Sequence, residues 1–177
     1  MNKKSQFLAI FFGCFALLAL SAQSSLSTQG TLYGNAAAKV DNSLTVESML
    51  TYAIQDEYLA RAEYAAIMGK FGTMEPYSNI KEAEEQHIAW LKEIFASLGI
   101  PVPADQAVQY IHIPATLKEA AETGVQAEID NIAMYERFLT QSILKDPRYK
   151  AVADIFVRLR DASKNHLEAF QRQLAKY

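Results

Sequence analysis

Four stretches of this chain repeat inward-facing residues every three or four positions, the spacing that lines one face of an α-helix at 3.6 residues per turn. The first begins near Ser43 to Thr45 and runs to about Lys70, with Met49, Ala53, Glu57, Ala60, Tyr64 and Ile67 in one stripe. The second runs from about Pro76 to Leu98 and aligns Ile80, Ala83, Glu84, His87, Leu91, Ile94 and Phe95. In the third, from Thr116 to about Lys145, Gly124, Glu128, Asn131, Tyr135 and Leu139 share a face. The fourth starts at Asp146-Pro147 and runs nearly to Tyr177. It stacks Val152, Ile155, Phe156, Leu159, Ser163, His166, Leu167, Phe170 and Leu174. No stretch of comparable length alternates in the period of two that a half-buried strand requires.

The boundaries of these stretches carry chemical stop and start signals. Gly69 and Gly72 end the first, and Pro76 suits the first turn of the second. Gly99 followed by Ile100 and Pro101 closes the second with a residue that tolerates the left-handed cap conformation. Thr116-x-x-Glu119 is a capping box, and Asp146-Pro147 is a cap with a first-turn proline. Short turns make each consecutive pair of helices antiparallel. The segment Gly99 to Ala115 holds three prolines and no sustained period, apart from one short helical turn predicted around Asp105 to Tyr110. At roughly 3.3 Å per extended residue it is long enough to traverse a whole helix. The chain is therefore predicted to be all-α, a four-helix bundle of two antiparallel hairpins joined by a long crossover.

Composition changes the picture mainly at the N-terminus. Lys3 and Lys4 precede an apolar run from Phe7 to Leu20 and then small polar residues from Ser21, the order of a secretory signal peptide. Residues 1–22 are read as that signal, too short for a comfortable membrane span. Residues 23–42 are read as a flexible leader, and 43–177 as the folded domain. Export implies a periplasmic or secreted protein with no membrane span left after cleavage. Cleavage also removes Cys14, the single cysteine, so the mature protein would have no disulfide. The net charge of −3 becomes more negative when the two lysines leave. Without a basic patch there is no footprint for nucleic acid. No phosphate-cradling loop or nucleophilic hydrolase arrangement stands out.

The polar residues on the inward stripes are the candidate chemistry, because a buried unpaired charge costs several kcal/mol. Glu84 and His87 lie at i and i+3, one turn apart on one face, and can aim an oxygen and a nitrogen at one ion. Glu57, Glu128 and His166 occupy the other stripes. Carboxylates mixed with imidazole suit iron, manganese or zinc rather than calcium. Glu63 is nearly level with Glu84 by residue count, while Glu57 differs from it in height by about 9 Å. Glu63 is therefore the substitute ligand. Tyr64 and Tyr135 sit two turns from Glu57 and Glu128, as core aromatics or as hydrogen-bond donors behind the ligands.

Three segments resemble a known family. Glu57 to Tyr64, EYLARAEY, is similar to the Glu-x-x-Ala-x-x-x-Tyr of rubrerythrin-type helices, and AEEQH ending at His87 matches the Glu-x-x-His that follows in them. SKNHLEAF, from Ser163, resembles the fourth helix of an exported branch of the ferritin-like superfamily. The resemblance runs from about Leu44 to Leu174 and implies a ferritin-like four-helix bundle with a non-haem dimetal site. Its chemistry would be of ferroxidase, peroxidase or oxidase type, with dioxygen or peroxide as the oxidant. Ligands carried over by it are Glu57, Glu84, His87, Glu128 and His166. It departs at Ser163, where the second Glu-x-x-His requires a glutamate, and Asn131 could offer only a neutral amide oxygen. A mononuclear or asymmetric iron site, or one holding manganese or zinc, is thus an alternative to di-iron. Metal sequestration without turnover, and a helical interaction module with a structural polar network, are the other readings. Since ferritin-like folds range from monomers to cages, a homo-oligomer is compatible with the resemblance.

Overall fold

A computed structural model describes residues 32–177. The expected signal peptide, residues 1–22, and residues 23–31 of the expected leader lie outside the described residues. Among the described residues are five α-helices: α1 (Asn35–Val40), α2 (Val46–Phe71), α3 (Tyr77–Leu98), α4 (Leu117–Leu139) and α5 (Lys150–Leu174). The described residues contain no strand, and the fold is all-α. Thr45 caps α2 reciprocally with Ser48, and Thr116 caps α4 with Glu119, as the capping-box spacing requires. Gly99 closes α3 in the left-handed conformation, with φ of 67°.

Two expectations need correction. Residues 35–40, placed in the flexible leader, form α1, and Tyr33 and Ala38 are buried. Local propensity does not hold this helix. Its first N–H binds the Asp56 carboxylate on α2, and the Arg137 guanidinium of α4 takes the carbonyls of Ala38 and Asp41. The third helix, expected to reach Lys145, stops at Leu139. There the Thr140 hydroxyl and the Gln141 amide both donate to the Arg137 carbonyl, side-chain bonds that compete with helix continuation. A 3-10 turn over Ser142–Lys145 then buries Leu144 before a second one, Pro147–Tyr149, leads into α5.

Helix α2 packs on α3 and α4 on α5, while α2 also meets α4 and α3 meets α5. The buried apolar residues form two clusters. One takes Met49, Leu50, Ile54, Leu91, Phe95, Phe138, Phe156 and Leu159 among others; the second takes Tyr64, Ile67, Tyr77, Ile80, Ala120 and Phe170. Along every long helix the chain passes from one cluster to the other. Helices α2 and α5 run from the first cluster to the second, and α3 and α4 run back. The segment after Gly99 must therefore return the length of α2. It does so through Arg61–Asp105, His112 N–H to Glu63, and Lys70 to the Pro114 carbonyl. Between the clusters, at the same level on all four helices, lies a layer of buried polar side chains.

Candidate metal centre

Each long helix contributes to this layer from the gap in its apolar stripe: Glu57 from α2, Glu84 and His87 from α3, Glu128 and Asn131 from α4, Ser163 and His166 from α5. All are buried. Glu57 and Glu84 expose 2% of their surface, Glu128 3%, His87 4% and His166 9%, so water screens none of the charges.

Glu84 stands at the middle. Its Oε2 lies 2.7 Å from His87 Nδ1 and its Oε1 3.2 Å from His166 Nδ1. Glu57 Oε2 approaches His87 Nδ1 at 3.0 Å, and Glu128 Oε1 approaches His166 Nδ1 at 3.6 Å. The two imidazoles lie side by side with ring centroids 5.7 Å apart. Two sets of three potential ligands result, Glu57–Glu84–His87 and Glu84–Glu128–His166, with the atoms of each set within 4.8 Å of one another. Glu84 belongs to both. The offset expected between Glu57 and Glu84 does not separate them: both carboxylates reach the same His87 nitrogen. Glu63 is therefore not needed in place of Glu57. It accepts the His112 backbone N–H at 3.3 Å instead.

Tyrosines hold the outer carboxylates. Tyr135 on α4 donates to Glu57 Oε1 at 2.5 Å, and Tyr64 on α2 donates to Glu128 Oε1 at 2.8 Å, so each crosses to the opposite hairpin. Burial and the facing carboxylates raise both phenols well above their usual pKa, which keeps them protonated as donors. Asn131 and Ser163 contribute no charge: Ser163 Oγ donates to Asn131 Oδ1 at 2.7 Å.

Crowding these acids together perturbs their ionisation. Burial and then repulsion from Glu84 push Glu57 up to about 7. Burial acts on Glu84 in the same direction, but its bonds to His166 and His87 outweigh that and hold it down at about 2. Burial would lower both histidines, yet Glu57 and Glu84 raise His87, and Glu128 and Glu84 raise His166, each to about 10. In the metal-free protein the imidazolium groups thus supply the positive charge that the carboxylates need. The compensation is incomplete at His166, whose Nδ1 is buried but makes no hydrogen bond of acceptable geometry. A buried ring nitrogen without a partner beside two carboxylates is a position that a bound water or ion would complete.

One residue of this layer was missed in the sequence. Asp56, exposed by 5%, takes the Asn35 N–H at 2.8 Å and the Asn35 Nδ2 at 2.7 Å on one oxygen, and Asn131 Nδ2 at 2.8 Å on the other. Burial pushes it up to about 7. Its signal was present, since Asp56 follows Ala53 by three positions and Met49 by seven. Asp56, Glu63, Glu84, Glu128 and Asn131 line a cavity of about 20 Å³, room for one water-sized molecule. Trp90, half-buried, sits 5.6 Å from the His87 ring with the Arg158 guanidinium stacked 3.4 Å above it.

No family model matches the chain. It is similar to the uncharacterized protein MJ0754 of Methanocaldococcus jannaschii, 25% identical over 138 residues, 70% of this chain and 71% of that protein. The crystal structure of the hypothetical protein MJ0754 from Methanococcus jannaschii DSM 2661 superposes with a TM-score of 0.63 at 22% identity, over 74% of this chain and 80% of the other. That likeness concerns the fold.

Proposed function

We propose that the chain is a ferritin-like four-helix bundle, exported under the direction of residues 1–22, that binds iron or manganese at Glu57, Glu84, His87, Glu128 and His166. One observation carries this reading: the Glu84 carboxylate is shared between two histidine Nδ1 atoms, each flanked by a further buried carboxylate. Residues packed only for structure would neutralise one buried acid with one base. A set of three acids and two imidazoles aimed at common points suits a metal centre that Glu57, Glu84, His87, Glu128 and His166 would hold. The mixed nitrogen and oxygen donors favour iron, manganese or zinc.

Bound iron or manganese would supply one-electron redox chemistry, and dioxygen or peroxide is the matching oxidant. The protein's own part is positional. Glu57 and Glu128 are held by Tyr135 and Tyr64, which orient the outer carboxylates toward the centre. The two apolar clusters exclude water from above and below, and the adjoining cavity admits only a small molecule. Sequestration without turnover is the second reading, favoured by Ser163, which leaves the centre one carboxylate short of a symmetric pair.

The test is anaerobic titration of the mature chain with Fe(II), Mn(II) or Zn(II), followed by exposure to oxygen. Stoichiometric binding that His87→Ala and His166→Ala both weaken supports the centre, and oxygen consumption by the iron form supports redox activity. Binding without oxygen consumption supports sequestration. No binding, or binding indifferent to both substitutions, leaves only a structural polar network.

A further inference from the structure

The centre is built on an internal pseudo-symmetry that is broken at Ser163 and at Asp56. Glu57 and Tyr64 on α2 have the spacing of Glu128 and Tyr135 on α4, and the tyrosines pair reciprocally with the opposite glutamates. Glu84-x-x-His87 on α3 then corresponds to Ser163-x-x-His166 on α5. By that correspondence Ser163 stands where a second shared carboxylate would be. The other difference between the halves has opposite sign: Asp56 precedes Glu57, whereas Ala127 precedes Glu128. One carboxylate is absent at 163 and one is added at 56.

A chain of hydrogen bonds joins these two positions. Ser163 Oγ donates to Asn131 Oδ1, and Asn131 Nδ2 donates to Asp56 Oδ2. The remaining Asp56 contacts are N–H donors from Asn35, so its hydrogen bonds all favour the charged form, against burial and the neighbouring Glu57. Asp56 also lines the cavity that reaches Glu84 and Glu128. Glu63 lines it too, but its carboxylate is engaged by the His112 backbone at the outer edge.

We infer that Asp56 is the fourth negative charge of a two-cation centre, displaced from position 163 to α2 and held there by Asn131 and Ser163. It is a positioning and charge-balancing residue rather than a ligand, and the inference rests on the metal-centre reading above. Four carboxylates, Asp56, Glu57, Glu84 and Glu128, then face two divalent ions with both histidines neutral. The buried charge balances, which three carboxylates alone would not achieve. In a low-dielectric layer an uncompensated charge acts over several ångströms, so the effect falls mainly on the second cation, whose entry meets the repulsion of the first.

The hydrogen-bond pattern supplies a clean test. In Asp56→Asn the new amide oxygen can still accept from Asn35 and its nitrogen can donate to Asn131. If the Asn131 amide then flips, it donates to Ser163 Oγ, whose proton turns to the Leu159 carbonyl already 3.1 Å away. Every bond is kept and only the charge is lost. The double variant Asp56→Asn with Asn131→Asp returns the charge to the same network one residue along the chain of bonds. Co(II), titrated anaerobically and followed by its absorption and by calorimetry, is the probe.

The expected result is two Co(II) per wild-type chain. In Asp56→Asn the first ion binds as in wild type and the second is weakened about tenfold or more. The double variant recovers that affinity, and it also serves if the single variant fails to fold. Two ions bound with wild-type affinities in Asp56→Asn would overturn the inference, as would failure of the double variant to recover. A merely structural Asp56 would lower the melting temperature of the metal-free protein and leave both affinities unmoved. A single Co(II) in wild type would reject the two-cation balance while leaving the metal centre standing. None at all would reject the centre itself.

Discussion

The two hairpins meet the same problem, acids buried at mid-height, with different resources. In α2–α3, His87 Nδ1 is bonded to both Glu57 and Glu84 at 3.0 and 2.7 Å. In α4–α5, His166 has one carboxylate of its own hairpin at 3.6 Å and borrows Glu84 from the other at 3.2 Å, with no well-formed hydrogen bond. The first hairpin pairs its histidine with two carboxylates of its own; the second draws on Glu84 across the interface. A motif with both members present can satisfy itself locally, whereas one that has lost its carboxylate becomes dependent on its neighbour. Glu84 therefore serves both halves.

Removing that shared group should erase the difference between the halves. Glu84→Gln, nearly isosteric, is expected to weaken metal binding at both histidines by more than about 100-fold, because even residues that only orient ligands cost about 10–100-fold. Co(II) titration with the wild type as reference measures it. If one ion still bound tightly, Glu84 would not be common to both sets. His87→Ala and His166→Ala should then separate the halves in the metal-free protein. Breaking the bonded buried pair at His87 should cost about 3–5 kcal/mol. His166, whose Nδ1 makes no well-formed hydrogen bond, should cost less, at or just below the low end of that range, about 3 kcal/mol. Urea unfolding after chelation gives both numbers, and equal costs would contradict the asymmetry.

Ser163→Glu goes the other way and restores the symmetric pair. The metal-free variant should lose about 2–4 kcal/mol to an extra buried charge, and saturating Mn(II) should recover most of it by mass action. Calorimetric melting with and without Mn(II) checks the reversal.

Acidity probes the same balance. His87 and His166, raised to about 10, contribute stability below their unfolded value of about 6.5 and lose it as the pH passes through about 10. Glu57, raised to about 7, adds a cost that grows as the pH rises from its ordinary value of 4.5 to about 7 and is constant above that. Both act in one direction, so the melting temperature of the metal-free protein should fall as the pH rises from about 5 to 10. Cation binding displaces the histidine protons and should therefore tighten over the same range. A metal-free stability that rose with pH would show that the imidazoles are not held protonated by the carboxylates. The smallest effects belong to the tyrosines. Tyr135→Phe and Tyr64→Phe should each cost about 1 kcal/mol, the worth of one hydrogen bond, and lower metal affinity modestly.

Much of this arrangement was legible along the chain because it repeats a short-range rule. Four stripes with caps at Thr45 and Thr116 and a stop at Gly99 set the long helices, and the acids and histidines stood out as polar residues on apolar stripes. Long-range contacts were not legible. Helix α1 has a composition that reads as a flexible leader and is held by Asp56 and Arg137, residues distant in the chain. Asp56 itself was hidden by its neighbour, since Glu57 already filled the polar place on that stripe. The end of α4 depended on Thr140 and Gln141 capturing a carbonyl, a competition whose winner the helical period does not reveal.

By itself, then, the sequence determined that the chain is all-α, where α2, α3 and α4 start (α5 starts at Lys150, after a 3-10 turn at the expected Asp146-Pro147 start), and which side chains each long helix would turn inward. Those features follow from spacing within one helix, where neighbours are fixed by the backbone. Tertiary structure alone decided who meets whom at mid-height. It levelled Glu57 with Glu84, turned Glu63 to the connection, crossed the tyrosines between hairpins and placed Glu84 between two imidazoles. Heights and rotations of one helix against another depend on packing summed over both apolar clusters, which no local pattern encodes.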